Sequence, residues 1–427
     1  MRVLLISANT EQINMPVLPL GMACVAAAVR NAGHEVKTLN LMTRRTDIRE
    51  YLDEAVAGFG PGLIGVSVRN IDDQTMEPPH FLLDSVTPVI EAIRSSTEAP
   101  ILLGGAGYSI FPKSALDYLG ADLGVRGEGE QILPVLLDRL EKKAPVEDLP
   151  GVFTRSGGGD RPPDAVENLD SAALPLPEVH LFRPEEFASE EIWMPFQTRR
   201  GCAMDCSYCS TAAIEGRRLR KRTPEQSIDN LARFVDAGFH RFFFVDNTFN
   251  LPPTYAEAIC DEIIRRGLKI EWRCIFYPRR TGERLIEKMA RAGCVELALG
   301  FESGSEKILK NLNKKFTPEE VRRVSALIKR HSIRQMGFLL LGGPGETRET
   351  VLESLEFADS LNLDSVKVTQ GIRIYPHTRL AETALSEGII DSEDDLLHPT
   401  FYMAPRLSEW LRRTVKAWAI DRPHWMV

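Results

Sequence analysis

The sequence predicts an α/β protein built from two strand–helix series in tandem: a doubly wound parallel sheet, then a partial barrel, then a short C-terminal segment. Three observations carry this. Residues 1–145 alternate short β-rich runs with helical stretches. A Gly- and Pro-rich interval follows over 146–190. A second alternation runs through 191–385, and residues 386–427 have a mixed pattern.

In the first series Arg2–Ile6 reads as a strand and Leu20–Ala32 as a helix closed by Gly33. Glu35–Leu39, Leu63–Val68 and Ile101–Leu103 read as the next strands. Helices are expected over Pro88–Ser95 and Pro112–Leu119, then a short strand over Leu123–Arg126 and a helix over Gln131–Glu141. Alternation at this spacing implies a Rossmann-like sheet covered on both faces, with ligands at the carboxyl ends of its strands. The interval holds Gly157, Gly158, Gly159, Pro162, Pro163, Pro175 and Pro177, and reads as a linker with a small hairpin around Gly151–Thr154.

The second series has candidate strands at Met194–Thr198, Arg241–Val245, Ile270–Phe276, Val295–Gly300, Arg334–Leu341 and Ser365–Ile374. Helices are expected over Pro224–Ala237, Pro253–Arg266, Gly282–Ala292, Pro318–His331 and Glu346–Leu361, and over Leu407–Ala419 in the tail. Six repeats make a (β/α)6 barrel of TIM type, short of the eight needed to close.

A chain of 427 residues, 43% of them hydrophobic, has material for more than one core. The net charge of -8 argues against a nucleic-acid scaffold. The start, MRVLLISANTEQ, lacks the apolar core and cleavage site of a secretory signal. No run of about 18 apolar residues is present, so no membrane span is expected. The seven cysteines are odd in number and not spaced as a disulfide framework; Cys24, Cys260, Cys274 and Cys294 lie scattered in apolar contexts. A reduced, cytoplasmic protein is the expectation.

The other three cysteines sit in RRGCAMDCSYCS as Cys202, Cys206 and Cys209, a C-x3-C-x2-C spacing after a strand. Three thiolates on one loop can bind three irons of a [4Fe–4S] cubane and leave the fourth without a protein ligand. An open metal position suits a catalytic site, whereas structural zinc takes four Cys or His ligands. No second cysteine knuckle exists, and the nearest histidines are His180 and His240. The vacant iron could chelate the amino and carboxylate groups of a methionine moiety, whose sulfonium an electron from the cluster would cleave.

With Tyr208 in the aromatic position, this motif resembles the signature of the radical S-adenosylmethionine (SAM) superfamily. The resemblance continues through FFFVDNTFN, LALGFESGSEKIL, LLLGGPGET and GIRIYPHTRLAETALSEG, which look like the branch with an N-terminal cobalamin-binding domain. It implies that the backbone around Tyr208 contacts adenine, that Asp246 and Asn247 lie near the methionine amino group, and that Glu302, followed by Ser303, binds the ribose hydroxyls. The alternatives are that Asp246 caps a turn and that Glu302 and Ser303 form a helix N-cap cluster. GGPGET over Gly342–Thr347 lacks the Gly-Lys-Ser/Thr of a phosphate loop and suits a strand-to-helix turn close to the cosubstrate. Arg217, Arg218, Arg220, Lys221 and Arg222 form a basic run that is either solvated surface or an anion-binding patch.

In the first domain, LPLGMACVAAAVRNAGHEV, with Leu20 and Gly21, and GADLGVRGEGEQILPVLL, with Gly127 and Glu128, resemble cobalamin-binding segments of that branch. Gly104, Gly105 and Gly107 after a strand could let a flat corrinoid approach. The D-x-H-x-x-G motif that supplies a histidine to cobalt is absent. Arg69 is a candidate for the lower cobalt face, where a guanidinium has no lone pair to donate; the plainer expectation is a salt bridge to Asp72 or Asp73.

The resemblance implies a [4Fe–4S] cluster, SAM and cobalamin as cofactors, and a methyltransferase acting on an unactivated carbon or phosphorus centre through methylcobalamin and a 5′-deoxyadenosyl radical. Cyclisation, ring rearrangement or oxidation without methyl transfer is the alternative, and an iron–sulfur electron carrier or sensor the non-enzymatic one. The expected partners are a small-molecule substrate, such as a natural-product or lipid precursor, and a one-electron reductant such as flavodoxin or ferredoxin. Tyr375, His377, Tyr402 and Trp425 are suggestive as pocket residues, though aromatic side chains more often serve packing.

Overall fold

The computed structural model describes residues 1–11, 18–43, 47–159 and 193–427. The expected linker from residue 160 to 190, with Pro162, Pro163, Pro175, Pro177 and His180, lies outside the described residues. The chain divides into two compact units. One comprises Met1–Asp73, Phe81–Trp193 and Thr211–Gly216; the other comprises Gln74–His80, Met194–Ser210 and Arg217–Val427.

The first unit runs β1 (Arg2–Ser7), α1 (Leu20–Asn31), β2 (Glu35–Asn40), α2 (Ile48–Phe59), β3 (Leu63–Ser67), α3 (Leu83–Ser96), β4 (Ile101–Gly104), α4 (Ala106–Ile110), α5 (Pro112–Leu119), β5 (Leu123–Val125), α6 (Gly129–Glu141), β6 (Val152–Thr154) and β7 (Gly157–Gly158). The sheet order is β2-β1-β3-β4-β5-β6-β7, parallel through β5. Residues 152–158 therefore extend the first sheet as an antiparallel hairpin at its edge. The strands are buried on both sides, with Val3, Leu4, Ile6, Leu63, Ile64, Ile101 and Leu103 fully covered, as a sheet between two helical layers requires. α1 packs on α6, and α2 on α3.

Among the helices that depart from expectation are α2 and α3. The sequence reading passed over α2, yet its Leu52, Ala55, Val56 and Phe59 form an apolar stripe, Asp47 caps its start through the Arg49 amide (2.8 Å) and Gly60 ends it at φ 60°. α3 begins at Leu83 rather than at Pro88, because Leu83, Val86, Val89, Ile90 and Ile93 share one buried face that outweighs the lost proline bond.

The chain continues with β8 (Met194–Phe196), β9 (Arg199–Arg200), α7 (Thr211–Glu215, which belongs to the first unit), β10 (Arg220–Lys221), α8 (Pro224–Asp236), β11 (Arg241–Phe244), α9 (Pro253–Arg266), β12 (Glu271–Phe276), α10 (Glu283–Arg291), β13 (Cys294–Glu302), α11 (Glu306–Asn311), α12 (Pro318–Arg330), β14 (Arg334–Leu341), α13 (Arg348–Ser360), β15 (Ser365–Gln370), β16 (Ile372–Arg373), α14 (Arg379–Ser386), β17 (Phe401–Tyr402), α15 (Ser408–Ala419) and β18 (Trp425–Met426). Its main sheet is β18-β15-β14-β13-β12-β11-β8, parallel throughout. The six expected strands are joined by a seventh from the tail, where Trp425 pairs with Val366. Helices α8, α9, α10 and α12 pack in succession outside it. Phe196, Phe244, Phe249 and Trp272 form the aromatic core beneath them, with Phe244 4.9 Å from Trp272. Among the described residues, no helix is long and apolar enough to cross a membrane.

Candidate functional site

The cysteine loop leaves the end of β9 through Gly201, whose φ of 86° needs a glycine. Cys202 is buried, Cys206 and Cys209 are half-buried, and none of the three is in a disulfide. The Cys209 amide donates to the Cys206 carbonyl (3.3 Å), closing a turn between the two. Burial pushes the Cys206 thiol up to about 11, against the pull of the Lys314 ammonium, while Cys209 and Cys202 lie near enough to add to the rise. Among the described residues, no three His, Cys, Asp or Glu side chains converge as ligands of a single ion. A cubane makes a different demand, since each thiolate meets its own iron, and three clustered thiols on one loop suit that donor set.

Facing this loop is an ion pair that the sequence reading missed. Glu302 ends β13 at φ 64°, and its Oε1 accepts from Tyr208 Oη (3.0 Å) and Lys314 Nζ (3.1 Å). The Lys314 side chain is 5% exposed and that of Glu302 13%. Lys314 lies over the rings of Tyr208 (5.3 Å) and Tyr277 (5.8 Å). Burial opposes the lysine's charge, but Glu302, Tyr208 and Cys206 outweigh it and hold its pKa well above the ordinary value. Its one sequence signal was a lysine twelve residues beyond Glu302.

Other expected site residues are engaged differently. Asp246 is 1% exposed, and its carboxylate accepts from the Thr198 amide (2.9 Å), Thr198 Oγ1 (2.6 Å) and the Arg199 amide (3.1 Å). It thus ties down the residues that lead into Cys202. Asn247 is half-buried beside it. Ser303 is fully buried and directed at α13, 2.8 Å from Ser354 Oγ, while accepting from the Ser305 amide (3.1 Å). Of the basic run, Arg217, Arg218 and Lys221 are exposed, whereas Arg220 and Arg222 are buried beside the β9–β10 hairpin. In GGPGET, Glu346 folds back on the Gly342 and Gly343 amides. Tyr375 accepts from Gln74 (3.0 Å), Tyr402 donates to Glu387 (2.6 Å), Trp425 is buried on β18, and His377 lies exposed 3.4 Å from Glu393. These four residues serve packing or surface pairing.

In the first unit the strand order reverses between β2-β1 and β3, and a shallow recess opens there, lined by Ala8–Glu11, Val68–Asn70, Leu82, Ser85 and Val86. Arg69 lies in it, exposed; surrounding protein lowers its pKa by displacing water. It donates to the Asn70 side chain and, among the described residues, makes no ion pair, so the expected bridge to Asp72 or Asp73 is not formed. Leu20 and Gly21 begin α1, Gly104 ends β4 with Gly105 and Gly107 just beyond it, and Gly127 and Glu128 follow β5 on the same carboxyl edge. The chain itself requires two of these glycines: a Cβ on Gly105 would come within 2.5 Å of the Val68 carbonyl, and one on Gly107 within 3.0 Å of that of Arg69. Among the described residues, no histidine lines the recess. Its small polar side chains, Asn9, Thr10, Asn70 and Ser85, suit the amide-bearing rim of a corrinoid.

Residues 6–137 match the B12 binding domain family, and residues 197–358 match the radical SAM superfamily. An uncharacterized methyltransferase of Pyrococcus horikoshii is 27% identical over 403 residues, covering 91% of this chain and 84% of its own. The tryptophan 2-C-methyltransferase of Streptomyces laurentii is 24% identical over 440 residues, covering 88% and 73%. The solved structure of the radical SAM methyltransferase TsrM from Kitasatospora setae, with cobalamin and [4Fe-4S] cluster bound, superposes with a TM-score of 0.86 at 23% identity, covering 100% of this chain and 90% of that one. That likeness speaks to the fold.

Proposed function

Because this chain belongs to the radical SAM superfamily and carries a B12-binding domain ahead of its radical domain, we propose that it is a cobalamin-dependent methyltransferase acting on an unactivated carbon or phosphorus centre of a small molecule. The observation that carries the reading is the three-thiol loop facing the Tyr208–Glu302–Lys314 group in a chain that also holds a sheet-edge recess without histidine. When bound, the [4Fe–4S] cluster supplies the electron that cleaves a sulfonium, and the corrinoid supplies a methyl carrier.

The chain's own residues supply positioning. Cys202, Cys206 and Cys209 would hold the cluster. Glu302, paired with Lys314, presents its carboxylate oxygens to the ribose hydroxyls, and the backbone around Tyr208 meets adenine. Asn247 is assigned to the methionine end. Asp246, whose oxygens already take three donors, acts as a positioning residue for the loop. Arg69 and the edge residues Leu20, Gly21, Gly104, Gly105, Gly107, Gly127 and Glu128 would surround the corrinoid, and the Arg69 guanidinium, without a lone pair to donate, would offer its metal no ligand. A one-electron donor such as flavodoxin or ferredoxin would feed the cluster, in the cytoplasm and without nucleic acid.

The test is anaerobic reconstitution with iron, sulfide and hydroxocobalamin, followed by reduction in the presence of S-adenosylmethionine. Bound iron, sulfide and corrinoid are expected, with release of 5′-deoxyadenosine and S-adenosylhomocysteine. Deoxyadenosine without homocysteine product would move the assignment to cyclisation or oxidation. Failure to cleave the cosubstrate would overturn it.

A further inference from the structure

Within the cysteine loop, Asp205 stands immediately before Cys206 and is gripped by groups from three places in the chain. Its carboxylate accepts from Arg217 Nη1 (2.5 Å), Arg379 Nη2 (2.6 Å) and Asn313 Nδ2 (3.3 Å), and the Asn313 amide also reaches the Asp205 carbonyl. Asn313 holds φ 58° in the turn after α11, and Arg379 is the first residue of α14. Two backbone bonds run parallel to these: the Ser207 amide donates to Leu312 O (3.1 Å), and the Leu380 amide donates to Ser207 O (2.9 Å). The loop is therefore stitched between the end of α11 and the start of α14, with the Asp205 side chain bonded to both sides.

We propose that Asp205 is a positioning residue: a carboxylate latch that fixes the backbone of residues 205–208, and with it the direction of Cys206, before any cluster is loaded. Every bond in this arrangement is made between groups of the chain itself. The side chain is 29% exposed, so a single such bond would count for little. Two guanidinium donors on one carboxylate, backed by an amide, restrain the loop together. The latch also gives α14 a role, since the helix and the loop share Asp205–Arg379 and Ser207–Leu380 bonds. This inference rests on the cysteine loop being the cluster site, but its first readout does not.

The experiment uses the full chain, reduced and freed of iron. Hydrogen exchange at the Ser207 and Leu380 amides, and iodoacetamide labelling of Cys206 at one fixed pH, are measured for the parent, D205N, R379Q, D205E and a surface control, R413Q. D205N and R379Q are expected to speed exchange and labelling about tenfold through local opening, while D205E, which keeps the charge, returns most of the protection. R413Q matches the parent. After loading, D205N is expected to yield its iron to a chelator several times faster. Rates within twofold of the parent in both D205N and R379Q would overturn the latch, as would equal loosening by D205E and D205N. A parent that takes up no iron yet shows this exchange pattern sinks the cofactor reading and leaves the latch standing.

Discussion

Replacing Glu346 by glutamine should flatten the protein's stability across neutral pH. Glu346 is 6% exposed in the turn after β14; Oε2 accepts from the Gly342 and Gly343 amides, and Oε1 has no partner among the described residues. Burial pushes the carboxyl from 4.5 up to about 7, and the two amides pull the other way without prevailing. The folded chain thus keeps this proton where the unfolded chain has lost it. Stability from this group is full below about 4.5 and falls as pH rises toward about 7. At about 1.4 kcal/mol for each tenfold change, this is on the order of 3 kcal/mol, most of it lost between about pH 5 and 8. The glutamine of E346Q carries no such proton; its carbonyl can still meet both glycine amides, while its amide nitrogen lacks an acceptor at a cost of about 1–3 kcal/mol. Trp272, Trp410, Trp418 and Trp425 share the unit of Glu346, so urea unfolding followed by fluorescence reports on the right region. Relative to E346Q, the parent should lose roughly 2–3 kcal/mol of stability between about pH 5 and 8. A difference that stays constant, or grows with pH, would refute the reasoning.

Three further outcomes are expected. Lys314→Met leaves Glu302 buried without its counter-charge and should cost about 3–5 kcal/mol in the apo-protein, whereas K314M/E302Q should cost less than K314M alone; thermal denaturation of the set gives the ranking, and an additive double variant would count against the pair. Asp246→Asn offers one acceptor where the carboxylate takes three donors and should cost about 2–4 kcal/mol, against about 1–2 kcal/mol for Thr198→Val; iron content after reconstitution should fall in the same order. Arg69→Ala should fold normally, since Arg69 makes no ion pair among the described residues, and should alter the absorbance spectrum of bound cobalamin; an unchanged spectrum and turnover would remove Arg69 from the lower face.

The elements most legible in the sequence were those whose apolar period and end signals agree. Pro253–Arg266, opened by proline and closed by Gly267 at φ 65°, is an instance, and Arg334–Leu341 is another. α2 carried equally good signals, but Arg49, Glu50, Asp53 and Glu54 surround its four buried residues and dilute the stripe. β18 is two residues long and exists only because β15 offers it an edge, which no local pattern can announce. The same division holds at the site. The cysteine spacing is local and was read at once. Lys314, Asn313 and Arg379 matter through contacts spanning 12, 108 and 174 positions, which spacing along the chain does not encode.

Strand ends in a parallel sheet do two different jobs, and the direction of the side chain decides which. On β11 the fully buried Phe242 and Phe244 face the helix-packed aromatic core, and Asp246, two residues on, keeps that parity. An acid there cannot face open solvent, so it must find donors within the fold. It finds Thr198 and Arg199, which run into Cys202. Glu302 ends β13 where the register with β14 shifts, and its positive φ turns the side chain out of the strand's alternation toward Tyr208 and Lys314. One carboxylate thus stabilises the loop from behind while the other addresses its front. The sequence shows both as acids at strand ends; the alternation and its interruption separate the residue that holds the loop through Thr198 and Arg199 from the one that faces Tyr208 and Lys314.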